Sequence, residues 1–407
     1  MWLLYNILLN IIYLFGFPYF IVKSKRDSVW KERLGDFPKI KGKSLWFHAS
    51  SVGEVSAILA LIKEFKNNFP EHSIVVSTFT TAGRRRAEQL YQERVVYLPL
   101  DFNFAVRKAI ERIHPDALII VETELWPNLL RYAKKFGCKI FLVNGRISQK
   151  SYIRYTGVKR FIESILRRFD LCIMQSREDA ERLERLGAES CRIKVAGNLK
   201  FDNLNTNIPE ENLREMLGVS NRKVFVAGST REGEEKIIFE AFNQIKVVEP
   251  NLVLILAPRH IERIERIKVM AESFGLKVRR KSEILLKHSD VVLVDTIGDL
   301  PFIYGIADIA FVGGSLLPYG GHNPIEPASY GIPVLFGPYM EVPDAKDLLK
   351  AGSGIVVKDA LGIIDVVVNL LKNDAERNRI GELSKYTIQK KRGASRKTLQ
   401  LIKNALS

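Results

Sequence analysis

Residues 44–79 read SLWFHASSVGEVSAILALIKEFKNNFPEHSIVVSTF. Two short apolar runs, 44–49 and 73–79, enclose a longer stretch with Val55, Ile58, Leu59, Ile62 and Phe65 at i, i+3, i+4, i+7 and i+10. That spacing predicts an amphipathic helix between two buried strands. The pattern repeats outward, with apolar runs at 95–100, 117–122, 139–145 and 171–176. Continuous apolar strands separated by helices describe a parallel sheet covered on both faces. A second series follows at 223–229, 251–258, 291–295, 309–314, 333–337 and 354–358. The fold class is therefore α/β, with two sheets of similar size in sequence.

Residues 201–222 are polar and turn-rich, so a linker is expected at 206–222. The expected division is 1–22, 23–205, 206–222 and 223–407, with the last helix free to pack back on the first domain. Residues 1–22 carry no charged side chain and are followed by Lys23, Lys25, Arg26, Lys31 and Arg33. A basic leader and a small-residue cleavage site are both missing, which argues against a signal peptide. A membrane anchor is expected, either spanning or lying in the interface, with the rest of the chain on the cytoplasmic face.

The 407 residues carry a net charge of +16. This favours an anionic partner: nucleic acid, an acidic membrane surface or an acidic substrate. The basic residues are dispersed and no nucleic-acid module is visible, which speaks against nucleic acid as the partner. Three cysteines without CxxC spacing give no disulfide framework. The six histidines form no HxxxH or HExxH pair, and no DxD or GxGxxG occurs. Gly228 and Gly233 have P-loop spacing, yet Glu234 stands where the phosphate-binding lysine belongs.

Candidate chemistry gathers at strand carboxyl ends. His48-Ala-Ser-Ser51-Val-Gly53-Glu54 joins a strand to a helix. Ser51 and Glu54 have capping-box spacing. Alternatively Gly53 admits substrate, and Glu54 accepts a proton. Arg84, Arg85 and Arg86 at a helix start oppose the helix dipole unless an anion binds there. Glu122, Glu124 and Trp126 share one strand tip, and Asn144 to Ser148 end the next. In the second half, Ser229, Thr230 and Arg231 open a helix suited to one phosphate, with Pro258-Arg259-His260 supplying another cation. Gly313-Gly314-Ser315 and the run 320–328 follow; Glu326 there can accept hydrogen bonds from a ribose diol.

HASSVGE, TTAGR, ETELWPN, NGRIS, GNLKFD, GSTREGEE, APRH and GGSLLPYGGHNPIEPA, in this order, resemble the 3-deoxy-D-manno-octulosonic acid (Kdo) transferases of lipopolysaccharide assembly. The chain departs from the family's usual Phe-Met-Glu-Asn-Phe-like run with Tyr339-Met340-Glu341-Val342-Pro343. The resemblance implies a GT-B fold, two Rossmann-like domains facing across a cleft. It also implies CMP-Kdo as donor, a lipid A precursor (lipid IVA) as acceptor, and inverting transfer with neither metal nor cofactor. On this reading Glu54 is the general base. Arg231 and Arg259 steady the leaving group, with Ser229, Thr230, Pro258, His260, Gly313, Gly314 and Ser315 around the donor. Asn323 and Glu326 hold the ribose. His48, Ser51, Gly53 and Asn144 line the acceptor side. Arg84, Arg86 and Lys200 take acidic groups, and Glu122, Glu124 and Arg146 orient sugars. Two rivals stand beside it: a membrane-associated transferase using a UDP-sugar, and a non-catalytic lipid- or nucleic-acid-binding protein.

Overall fold

The computed structural model describes residues 1–26, 28–204, 210–283 and 289–406. Two compact units are present. The first comprises Met1–Asn203 together with Lys391–Ser407, and the second Leu204–Lys390.

The first sheet contains β1 (Ser44–His48), β2 (Ser73–Thr78), β3 (Arg94–Tyr97), β4 (Ala117–Val121), β5 (Lys139–Gly145), β6 (Leu171–Met174) and β7 (Ile193–Val195). Their order is β3-β2-β1-β4-β5-β6-β7, and every pairing is parallel. Successive residues feed opposite layers, as strand geometry requires. Leu45 and Phe47 enter one core and Trp46 the other; Ile119 and Ile120 divide the same way. Both faces are dry, which explains why the strands read as unbroken apolar runs.

The second sheet contains β8 (Lys223–Thr230), β9 (Leu252–Pro258), β10 (Val278–Arg280), β11 (Val291–Leu293), β12 (Ile309–Val312), β13 (Val334–Phe336) and β14 (Gly354–Val356). The order is β10-β11-β9-β8-β12-β13-β14, again all parallel. Phe225 and Ala227 face one core, Val224 and Val226 the other. In each sheet the strand order reverses beside the first strand, between β1 and β4 and between β8 and β12. Such a reversal opens a crevice at the carboxyl ends. The loops after these four strands carry most of the candidate residues.

The structure redraws the expected linker. Of the expected linker 206–222, residues 206–209 lie outside the described residues, but Glu210–Met216 is a helix. Leu217 and Val219 are buried in the second unit's core. The last helix, Ala394–Leu406, belongs to the first unit, where Ala394, Leu399 and Ile402 join the core of Phe47 and Phe65. Asp202 fixes its start by accepting from the Gly393 and Ser395 amides, each at 2.6 Å. His288 also lies outside the described residues.

The first helix runs Trp2–Arg26. Among the described residues no helix is long and apolar enough to cross a membrane.

Candidate active site

β1 ends at His48, and the chain enters the helix Val52–Ala57 through Ser50 and Ser51. Ser51 is the N-cap. Its hydroxyl accepts from the Glu54 amide at 3.4 Å and donates to Glu54 Oε1 at 2.8 Å. The Ser50 amide donates to Glu54 Oε2 at 2.7 Å. Capping is therefore real, and it also fixes the direction of the carboxylate. Gly53 is exposed, and a Cβ there would meet nothing closer than 3.9 Å.

The Ser50 turn is held from behind. Its carbonyl accepts from the Phe79 amide (3.3 Å), the Thr80 amide (3.1 Å) and the Thr80 hydroxyl (3.0 Å). Gly83 permits this approach, because a Cβ would stand 2.8 Å from the Ser50 carbonyl oxygen. His48 is fully buried, with Nδ1 3.0 Å from Ser77 Oγ and Nε2 3.1 Å from Ser50 Oγ. Burial pushes its pKa down to about 3. His48 therefore supports Ser50 as a neutral ring, from a fully buried position.

Glu122 follows β4 with φ +56°, a left-handed conformation rare for non-glycine residues. Such strain is characteristic of functional sites. Burial, Glu54 and Glu124 push its pKa up to about 7, against Arg146 and Lys200. Glu124 is also raised, by burial and then by Glu54, with Ser50 and Trp126 pulling the other way. Thus three acids crowd the neighbouring tips of β1 and β4, with Arg146 and Lys200 near enough to act on Glu122. Asn144 also has positive φ (+53°), but it is buried and accepts from the Leu199 amide at 3.0 Å. It holds the loop at Leu199. Arg84 donates to Glu32 and Glu88, each at 2.6 Å. Arg86 is half-buried and reaches Ser56 Oγ at 3.3 Å.

The crowded acids give a measurable signature. Glu122 titrates higher in the fold than in the open chain, so its stability contribution is present at low pH and lost as pH rises through about 7. Glu122→Gln removes that loss. The variant is expected to be more stable than the parent at pH 8, by about 1–3 kcal/mol, with the gain vanishing towards pH 4. Denaturant midpoints at the two pH values test this; equal differences at both would remove the acid crowding from the account.

In the second unit, Glu234 is the surprise. Its fully buried carboxylate accepts from the amides of Arg231 (2.8 Å), Gly314 (2.6 Å), Ser315 (2.9 Å) and Leu316 (2.8 Å). This explains why an acid stands where a P-loop has lysine: the chain supplies its own anion to the glycine turn. It also engages two of the residues expected around the donor, Gly314 and Ser315. The Gly314 and Ser315 amides are taken. Ser315 is fully buried, its hydroxyl accepting from the Gly337 amide at 2.8 Å. A Cβ on Gly313 would lie 2.6 Å from the Ser229 carbonyl oxygen. Thr230 is also fully buried and donates to Glu235 at 3.0 Å. Glu235 in turn accepts both arms of Arg263 at 3.0 Å. Pro258 is buried at the end of β9. These residues build the frame.

What the frame presents is cationic. Arg231 Nε donates to His322 Nε2 at 3.3 Å, and its Nη1 lies 2.9 Å from His260 Nε2. Burial, Arg231, Arg259 and His260 push the His322 pKa down to about 4. Ser229, at φ +58°, stands beside Arg231. Asn323 Nδ2 donates to Glu326 Oε1 at 3.1 Å, and burial raises the Glu326 pKa. His322 joins the site although sequence reasoning placed no role on it. Its partner Arg231 is 91 positions away, so no local spacing betrays the pair. Among the described residues no group of three or more His, Cys, Asp or Glu is arranged to hold a metal ion.

The family model for 3-deoxy-D-manno-octulosonic-acid transferases matches residues 28–203. The chain is 34% identical over 371 residues to the 3-deoxy-D-manno-octulosonic acid transferase of Haemophilus influenzae, covering 88% of this chain and 86% of that protein. It is 36% identical over 397 residues to a bifunctional glycosyltransferase/methyltransferase of Fusobacterium nucleatum, covering 93% of this chain but 61% of that one. Among solved structures it is similar to a UDP-GlcNAc 2-epimerase from Neisseria meningitidis, with TM-score 0.64 and 14% identity over 89% of this chain and all of the other. Sequence and architecture agree: the chain belongs to the Kdo transferase family and is a glycosyltransferase of the GT-B fold class.

Proposed function

We propose that this protein transfers Kdo from CMP-Kdo to a lipid A precursor, lipid IVA, in lipopolysaccharide core synthesis, by an inverting, metal-independent displacement. The observation that carries the reading is the Glu54 carboxylate, aimed by Ser50 and Ser51 at the tip of β1. An acceptor hydroxyl gives its proton to Glu54 while its oxygen bonds to the anomeric carbon of Kdo. The bond from that carbon to the CMP phosphate oxygen breaks, and CMP leaves with the electron pair. One displacement inverts the centre. Arg231, Arg259 and His322 donate to the departing phosphate and stabilise its charge. Asn323 and Glu326 hold the ribose. Glu122, Glu124, Arg86, Arg146 and Lys200 orient the sugars and their acidic groups.

A place on the cytoplasmic face of the inner membrane is part of the proposal. Leu3, Leu8, Leu14 and Phe15 of the first helix are exposed, and the net charge is +16. An apolar flank with basic charge suits a helix lying in an anionic interface. The decisive experiment is mass analysis of the product from purified protein, CMP-Kdo and lipid IVA, with UDP-sugars and a chelator in parallel. The expected product carries added Kdo and forms equally in chelator. Consumption of a UDP-sugar instead, or loss of turnover in chelator, would refute the reading.

A further inference from the structure

The first helix does more than expose apolar residues. Trp2, Tyr5, Asn6, Leu9 and Tyr13 are half-buried, at i, i+3, i+4, i+7 and i+11, so one face is docked. The docking is both aromatic, with Trp2 and Tyr5 on Phe161 and Tyr13 on Phe102 and Phe104, and polar. Tyr5 OH donates to Asp101 Oδ2 at 2.8 Å, and Asn6 Oδ1 accepts from Asn103 and Asn128, each at 2.9 Å. Trp2 Nε1 donates to Ser164 Oγ at 2.9 Å. A tether would need none of this.

The contacts lead to the site. The helix Pro127–Lys135 starts after Trp126, whose side chain provides no cap. Asp101 supplies the cap from another loop, accepting from the Asn128 amide (2.9 Å) and the Leu129 amide (2.8 Å). Asn128 Nδ2 returns a bond to the Asp101 carbonyl at 2.7 Å. Asp101 is 5% exposed, so each donor counts. Trp126 then packs on Phe79 (5.2 Å between rings) and His48 (6.4 Å), the two residues that back the Ser50 turn. The segment between β4 and this helix start holds Glu122 and Glu124.

We propose that the first helix is a positioning element of the catalytic domain. Through Tyr5 and Asn6 it holds Asp101 and Asn128, and through them it sets the Glu122–Trp126 segment. Turnover therefore depends on this helix even where no membrane is present. The inference rests on the active-site reading above and adds a contiguous chain of contacts to it.

The test uses the full chain in detergent with CMP-Kdo and two acceptors, lipid IVA and its water-soluble deacylated form. Tyr5→Phe and Asn6→Leu are expected to lower kcat roughly 5–20-fold on both acceptors, leaving KM for CMP-Kdo unchanged, since one to two hydrogen bonds are lost. Asn6→Asp keeps the accepting oxygen and is expected to restore most of the rate. Hydrogen exchange of the Asn128 and Leu129 amides is expected to speed by a similar factor in Tyr5→Phe. Normal kcat on the deacylated acceptor, or unchanged exchange, would overturn the proposal and leave the helix a tether. Faster exchange in a protein that transfers no Kdo would sink the active-site reading instead.

Discussion

Glu54→Gln is expected to bind CMP-Kdo normally and to turn over about 10²–10⁴-fold more slowly than the parent, the usual cost of losing a general base. Gln keeps the shape and one accepting oxygen for Ser50 or Ser51, so the cap is largely preserved. Glu54→Ala removes both roles. It is expected to lose the same rate and, in addition, about 1 kcal/mol of stability, as for other capping losses. The pair separates the two functions that the capping box combines. Near-normal turnover in Glu54→Gln would reduce Glu54 to a cap and move the base elsewhere, with Glu122 and Glu124 next in line. Single-turnover rates and donor titrations on the same preparations decide it.

The second large effect lies in the other unit. Glu234→Gln is expected to destabilise it by roughly 3–5 kcal/mol. Four backbone amides converge on the two oxygens of Glu234. An amide side chain turns one accepting oxygen into a donor and leaves up to two buried N–H groups facing it. Hydrogen bonds to charged groups contribute about 1.5–3 kcal/mol each, and orphaned buried donors add their desolvation cost. Denaturant unfolding followed by hydrogen exchange in residues 223–390 is the measurement, because two units need not unfold in one step. A loss under 1 kcal/mol would mean that the glycine turn keeps its shape without the internal anion. The same variant is expected to weaken CMP-Kdo binding, since Arg231 follows the turn that Glu234 anchors.

How much of this was legible beforehand depends on what each residue answers to. The central strands follow from apolar runs, because both faces of each sheet are buried. Two of the four edge strands do not: β7 reads IKV and β10 reads VRR, whereas β3 and β14 fall in the apolar runs 95–100 and 354–358. Motif residues at strand tips were found because glycine, serine and charge at a strand end are unusual. Their division into those that face a ligand and those that build the frame was not legible. Ser315, Thr230 and Asn144 look like donors and acceptors in sequence, yet each is spent on an internal partner. Arg84 looks like an anion receptor until Glu32, 52 positions earlier, is seen beside it. Pairings across such distances depend on strand order, which the apolar pattern leaves open. Glu234 shows the reverse: its mismatch to the P-loop pattern excluded one chemistry, and the buried cradle explains why the mismatch exists.

Because both termini lie in one unit, the other is an insertion, and the polypeptide passes between them near 204 and again near 390. A protease cut in either passage leaves the two halves covalently joined by the remaining one. Deleting residues 391–407 would leave the second unit, Leu204–Lys390, whole in sequence. The deletion would instead strip Leu399 and Ile402 from beside Phe47 and Phe65, so the damage from trimming the tail would be felt at the front of the sequence.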